Sequence, residues 1–340
     1  MEREIKELLY ELGIPVIQRA RKESPNCISL HYDLVKIDQL SQLEKKVKFL
    51  SAYLHKDIVY QRSDIAHFSL RLPKEKEIVG FYDDKYNYVF NKKIVKELDL
   101  FMGVDNDNTP RVFNLDDMPH ILISGTTGSG KSVMLNSLIC SILRNSNKNN
   151  KPTFTMIDTK RVELSQYKKL GSDCKIATTP IKAIELLEEA CFRIESRYEL
   201  MEKNGWRTIP DNHFRHIVII EELGDLMLSS KGSVERYIVK IAQLGRACGV
   251  HLIIATQRPT VNVVTGAIKA NIGCRIALQT TSAIDSRNIL GHNGAEKLRG
   301  KGDCLLKLPN QSNEIHLQCP YISSLDIERA IKEFGEDAYE

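Results

Sequence analysis

Residues Gly125 to Ser132 read GTTGSGKS, straight after the apolar run Ile121, Leu122, Ile123 and straight before the helical run from Val133 to Leu143. A strand that ends in a glycine-rich turn and opens a helix aims successive backbone N–H groups and the helix dipole at a triphosphate. Gly125, Thr126, Thr127, Gly128, Ser129, Gly130, Lys131 and Ser132 form that cradle. In such a loop the lysine, here Lys131, reaches the β- and γ-phosphates, and the Ser132 hydroxyl completes a Mg²⁺ shell. The segment therefore predicts binding of ATP or GTP with Mg²⁺.

At 340 residues and 42% hydrophobic content, the chain is long enough for one large core and one smaller one, which predicts two domains. Its net charge is only +4, from 48 basic and 44 acidic residues, so any nucleic-acid contact must come from a local cluster. Eight cysteines are scattered without paired spacing, several in apolar runs. They read as reduced core residues of a cytoplasmic protein, not as a zinc site or a disulfide framework. No apolar run approaches the roughly 20 residues of a spanning helix, and the start, MEREIKELLYELG, is a mixed-charge amphipathic helix without a signal-peptide core.

Along the chain, Ile5, Leu8, Leu9 and Leu12 share one helical face that Gly13 and Pro15 close. Strand-like runs follow at 16–21 and 27–34, then a helix over about 39–54 and strands at 57–62 and 65–72, stopped by Pro73. This is a small α+β unit without a phosphate loop of its own. The charge-rich stretch from 74 to about 91 reads as a connection, and 145–150, NSNKNN, as a surface loop. From Leu98 a strand, a turn and a strand lead to the phosphate loop. Helices then alternate with apolar strands at 153–157, 216–220, 252–255, 275–278 and 304–308, which predicts a mostly parallel sheet with helices on both faces. The tail from Ile322 offers one amphipathic helix, 325–334.

The strand 217–220 ends in Glu221 and Glu222. The carboxyl ends of such strands lie beside the phosphate loop, so Glu221 is the candidate for holding a magnesium-bound water and Glu222 for polarising the attacking water. An acidic helix start favoured by the dipole is the alternative reading of the same pair.

Seven segments, MPHILISGTTGSGKS (118–132), MIDTKRVELSQY (156–167), IVIIEELGDLM (217–227), GRACGVHLIIATQRP (245–259), IKANIGCRIALQ (268–279), IDSRNIL (284–290) and GAEKLRGKGD (294–303), closely resemble, in order, the motor domain of FtsK/SpoIIIE DNA translocases. The resemblance covers roughly 98–320. It implies an α/β fold with a RecA-like P-loop ATPase core over 98–325, preceded by a small α+β subdomain and connector over 1–97 and followed by a helical tail, 326–340. It also implies ATP and Mg²⁺ as cofactors, double-stranded DNA as partner and a homo-oligomer, a hexameric ring.

Carried over by position, Gln257 matches the polar sensor of the γ-phosphate, and Arg246 the arginine finger that reaches a neighbouring subunit's nucleotide. Arg258, Lys269 and Arg287 fall in segments whose basic side chains line the DNA channel, gripping phosphates without reading sequence. Asp158, Lys160 and Glu163 match a block without an assignable chemistry. Two positions depart from the family. Glu221 replaces the aspartate of the usual Asp-Glu pair, and Ala283 replaces a lysine. No membrane anchor and no C-terminal winged helix is legible, so the expected protein is a stripped translocase serving a plasmid, integrative element or phage, with a recruiting protein of that element as a possible partner. A motor on single-stranded DNA in plasmid replication or conjugation and an ATP-gated DNA scaffold that hydrolyses slowly remain the alternatives.

Overall fold

In a computed structural model, the structure describes residues 2–25, 27–36, 40–54, 58–62, 64–74, 78–85, 96–146, 150–210, 213–230, 232–309, 311 and 313–336. Parts of the expected connector, of the 145–150 loop and of the C-terminal tail lie outside these residues. The chain divides into two units. One comprises Met1–Val79 with Val104–Thr109, the other Gly80–Gly103 with Pro110–Glu340.

The first unit contains α1 (Glu2–Glu11), β1 (Val16–Glu23), β2 (Cys27–Leu34), α2 (Leu40–Tyr53), β3 (Val59–Arg62) and β4 (His67–Pro73). Ile5 and Leu9, four positions apart, are buried on one face of α1, and the helix stops at Gly13, whose φ of 76° only glycine adopts without cost. The four strands form an antiparallel sheet in the order β1-β2-β4-β3. Its inner face joins α1 and α2 in one core, with Tyr32 and Phe68 5.5 Å apart.

The second unit is built on a ten-stranded sheet. Its strands are β5 (Asp99–Asp105), β6 (Pro110–Asn114), β7 (His120–Ser124), β8 (Thr153–Ile157), β9 (Cys174–Ala177), β10 (His216–Ile220), β11 (Val250–Thr256), β12 (Cys274–Leu278), β13 (Asp303–Lys307) and β14 (Ile315–Gln318). The order is β6-β5-β14-β13-β12-β7-β11-β10-β8-β9. From β12 to β9 six strands run parallel, and β13 and β14 turn antiparallel. The helices are α3 (Lys131–Asn145), α4 (Pro180–Asn204), α5 (Leu223–Ser229), α6 (Ser233–Leu244), α7 (Gly266–Asn271), α8 (Ala283–Leu290) and α9 (Ser324–Glu336).

Both faces of the parallel strands are covered, as continuous apolar strands require. Leu122, Val218, Ile220, Leu252 and Ile254 join one cluster with residues of α4, α6 and α7. The alternate positions Ile121, Ile123, Ile217, Ile219 and Ile253 are equally buried and face the other way. Two strands have no counterpart in the sequence reading, β9 and β14. Each is four residues long and part polar, too short for alternation to register. Among the described residues, no helix is long and apolar enough to cross a membrane.

Candidate nucleotide site

β7 carries the phosphate loop at its carboxyl end, between β11 and β12, and the loop's glycines each answer a local demand. A Cβ on Gly125 would sit 2.4 Å from Ser129 Oγ and 2.8 Å from the Cβ of Leu278 at the end of β12. Gly128 has φ 78° with open space around it. Gly130, φ 103°, is the cap residue of α3. The loop is tied to both neighbouring strands: Gly125 N donates to Thr256 O at 3.3 Å, and Thr126 N and Oγ1 donate to Gln279 O at 3.0 and 3.1 Å.

Lys131 opens α3 with its ammonium buried. It donates at 2.9 Å to the backbone oxygen of Glu221 and at 2.9 Å to Glu221 Oε1, and lies 3.9 Å from Glu222 Oε2. Glu221 Oε2 is buried and has no hydrogen-bond partner among the described residues. An acceptor left open there suits a cation or a water bound to one, and Ser132, half-buried, is the residue next after Lys131 at the start of α3. The donor set of loop N–H groups, Lys131, Ser132 and Glu221 thus fits a nucleoside triphosphate with Mg²⁺.

Glu222 caps α5 by accepting from Gly224 N at 3.2 Å, so the helix-start reading of the acidic pair describes part of its role. The same carboxylate accepts from Thr256 Oγ1 at 2.7 Å and from Gln257 N at 3.0 Å. Gln257, one residue beyond β11, in turn accepts from Thr127 Oγ1 through its Oε1 at 3.4 Å. Lys131, Glu221, Glu222 and Gln257 therefore converge on the loop from three adjacent strands.

The remaining expected residues lie elsewhere. Arg246 is exposed in the turn before β11, whereas the loop meets the carboxyl end of that strand. Seven residues of extended chain intervene, so Arg246 stands about 20 Å or more from its own loop. Arg258 is exposed directly after Gln257, and its N–H donates to Thr256 Oγ1 at 3.1 Å. Lys269 is half-buried on α7, and Arg287 is exposed on α8 with its guanidinium 2.6 Å from Asn293 Oδ1. Asp158 is buried and accepts from Arg161 N and Leu164 N at 2.8 and 2.9 Å, the bonding of a turn former. Lys160 approaches the site, 3.9 Å from Glu222 Oε2 and 3.6 Å from Asp225 Oδ2.

Thr256 and Gln279 were missed in the sequence. Both sit at or just past the carboxyl end of a strand that flanks the loop strand, so reading every such position would have found them.

A glycine-rich loop between strand and helix, a buried lysine and an acidic pair at the end of the next-but-one parallel strand define a P-loop nucleoside triphosphatase. The profile of the FtsK/SpoIIIE family matches residues 91–216 and 213–261, and the chain belongs to that family. The DNA translocase FtsK of Chlorobaculum tepidum is 42% identical over 255 residues, 70% of this chain and 32% of the relative. That of Streptococcus pneumoniae is 40% identical over 252 residues, 69% and 33%. The chain thus spans about a third of the length of the curated relatives it matches. Among solved structures, the pCW3 conjugation coupling protein TcpA, in its monomer form with ATPγS, matches with a TM-score of 0.68 at 23% identity over 97% of this chain and 98% of that one. ATPases 2 and 3 of EssC from Geobacillus thermodenitrificans match with a TM-score of 0.64 at 15% identity over 78% and 52%. These likenesses establish the fold.

Proposed function

We propose that the chain hydrolyses ATP to drive movement along double-stranded DNA, with the catalytic unit completed between copies in a ring, six by family resemblance. The observation that carries the reading is the convergence of Lys131, Glu221, Glu222 and Gln257 on the phosphate loop, in a chain whose motor-like segment is 42% identical to a named DNA translocase. Loop N–H groups and Lys131 hold the β- and γ-phosphates. Mg²⁺, held through Ser132 and Glu221, would offset the charge on the phosphate oxygens. Glu222 takes the proton of the attacking water, and Gln257 couples it to the loop through Thr127. Arg246, remote from its own loop, is free to serve a neighbouring copy, which makes hydrolysis depend on assembly. Arg258, Lys269 and Arg287 grip the duplex backbone.

The test pairs two measurements. Stimulation of ATPase by duplex over single-stranded DNA supports the duplex reading, and displacement of a triplex-forming strand distinguishes a motor from a static scaffold. Hydrolysis without displacement would sink translocation. Service of a mobile element is the finest part of the proposal; loss of plasmid transfer on deleting the gene from its element would support it, and unchanged transfer would count against it.

A further inference from the structure

The block Gly300–Asp303 belongs to a segment that resembles the family motor, yet the chemistry above leaves it unused. It forms the turn into β13, and three consecutive residues take left-handed φ: 70° at Gly300, 49° at Lys301 and 87° at Gly302. Its backbone donates to the phosphate loop, Lys301 N to Gly128 O at 3.3 Å and Gly302 N to Ser129 O at 2.6 Å. The approach is close enough that a Cβ on Gly130 would lie 2.6 Å from Gly302 N.

We propose that this turn is a brace that orients the phosphate loop for its nucleotide, and that Gln318 and Asp303 are the positioning residues that hold the brace. The proposal rests on the reading of the loop as a nucleotide site. A trans peptide sets its C=O and its N–H in one plane, pointing opposite ways. Holding Ser129 O from one side therefore turns the N–H of Gly130, in the same peptide, to the other. Gly130 is the residue immediately before α3, where an N–H serves an anion best. The brace uses backbone donors, so it acts on loop shape without adding charge.

The turn is itself held from behind. Gln318 Nε2 donates to Lys301 O at 3.0 Å and Cys319 N to Gly302 O at 2.8 Å. Asp303 accepts from Arg299 N at 2.8 Å and bonds His316 Nε2 at 2.5 Å. Asp303 and Gln318 face each other across β13 and β14, and both are buried. Polar side chains kept out of water in a hairpin cost stability unless they are bonded. Gln318 Nε2 is bonded to the turn while its Oε1 has no partner among the described residues, and Asp303 is bonded both to Arg299 N before the turn and to His316 on β14. A Cβ at Gly302 would meet Gln318 Nε2 at 2.9 Å and Cys319 Sγ at 3.2 Å, so that glycine is required by the same contacts.

The test titrates the whole chain with a fluorescent, non-hydrolysable ATP analogue and, separately, with a duplex oligonucleotide, and records Tm without nucleotide. Wild type, Gln318→Leu, Gly302→Ala and Lys131→Ala are compared. The brace predicts that folded Gln318→Leu and Gly302→Ala bind the analogue at least tenfold more weakly while duplex affinity without nucleotide stays within twofold. A purely structural role lowers Tm and leaves the analogue's Kd at the wild-type value in Gln318→Leu, which overturns the brace. If Gly302→Ala does not fold, Gln318→Leu decides alone. Wild type binding the analogue with Lys131→Ala impaired upholds the loop reading whatever Gln318→Leu does; wild type failing to bind it overturns both.

Discussion

The ammonium of Lys131 and the carboxylate of Glu221, 90 positions apart, form a 2.9 Å ion pair with each side chain only 3% exposed. Lys131 is thereby held turned to a carboxylate, and under the proposed function an arriving triphosphate would compete for it. In the proposed function that exchange would free Glu221 to hold the cation accompanying the nucleotide, coupling phosphate and cation binding through one lysine.

Lys131→Ala is therefore expected to lose nucleotide binding and also to destabilise the protein, because it leaves Glu221 buried without its cation. Breaking a buried pair by removing one partner costs about 3–5 kcal/mol. Denaturant unfolding without nucleotide reads the second effect. A variant as stable as wild type would mean that the pair contributes nothing to the fold.

Glu222→Gln keeps the shape of the side chain and, with its single amide oxygen in the Oε1 position, can still accept from Thr256 Oγ1 and Gln257 N, at 2.7 and 3.2 Å, while losing the base. It is expected to bind ATP with near wild-type affinity and to hydrolyse it about 10²–10⁴-fold more slowly. Single-turnover hydrolysis measures this, and undiminished turnover would remove Glu222 from the chemistry.

Arg246→Ala should bind ATP through its own loop yet hydrolyse little when DNA is added. Mixing it with Lys131→Ala restores part of the rate if an intact arginine on one copy meets an intact loop on the next. Wild-type turnover by Arg246→Ala, at concentrations where wild type stays monomeric on DNA, would contradict action between copies.

Lys269 and Arg287 replaced together by Ala should weaken duplex binding equally for unrelated sequences and flatten its salt dependence by about two phosphate contacts. An unchanged slope in a salt titration moves the DNA path elsewhere.

Acid sensitivity follows from the amino ends of the central strands. Burial drives His120 and His216 down to about 3 from the ordinary 6.5, with His251 and Arg246 adding to the effect at His120, and Arg193 and Arg197 at His216. A histidine depressed in the folded state binds its proton more readily when unfolded, so stability falls as pH drops below about 6.5 and continues falling toward 3. Between pH 7 and pH 5 each site costs about 2 kcal/mol. His120→Leu is expected to remove about half of the combined loss, read as the difference in unfolding free energy at the two pH values.

The phosphate loop, the apolar strands and the acidic pair were legible because each is local: a glycine pattern, a continuous apolar run, two carboxylates at a strand's end. Gln257 and Arg246 came from resemblance; the place of Gln257 just past the carboxyl end of β11 marks it as near the loop, whereas nothing in the neighbourhood of Arg246 marks it. β9 and β14 escaped because a four-residue strand at mixed burial carries no period.

The order of residues along the chain determined that a triphosphate cradle would form at 125–132, since strand, turn and helix there are set by neighbours a few positions away. It determined equally that the surrounding strands would be buried on both faces. Only the tertiary structure decided which distant residues meet that cradle. Strand order β12-β7-β11-β10 brings Gln279, Thr256 and Gln257 to the carboxyl ends of the central strands with the acidic pair, and the β13–β14 hairpin sets Gly302 against Ser129. Those meetings depend on the order in which strands pair and on backbone contacts between segments far apart in the chain, which no short stretch of sequence specifies.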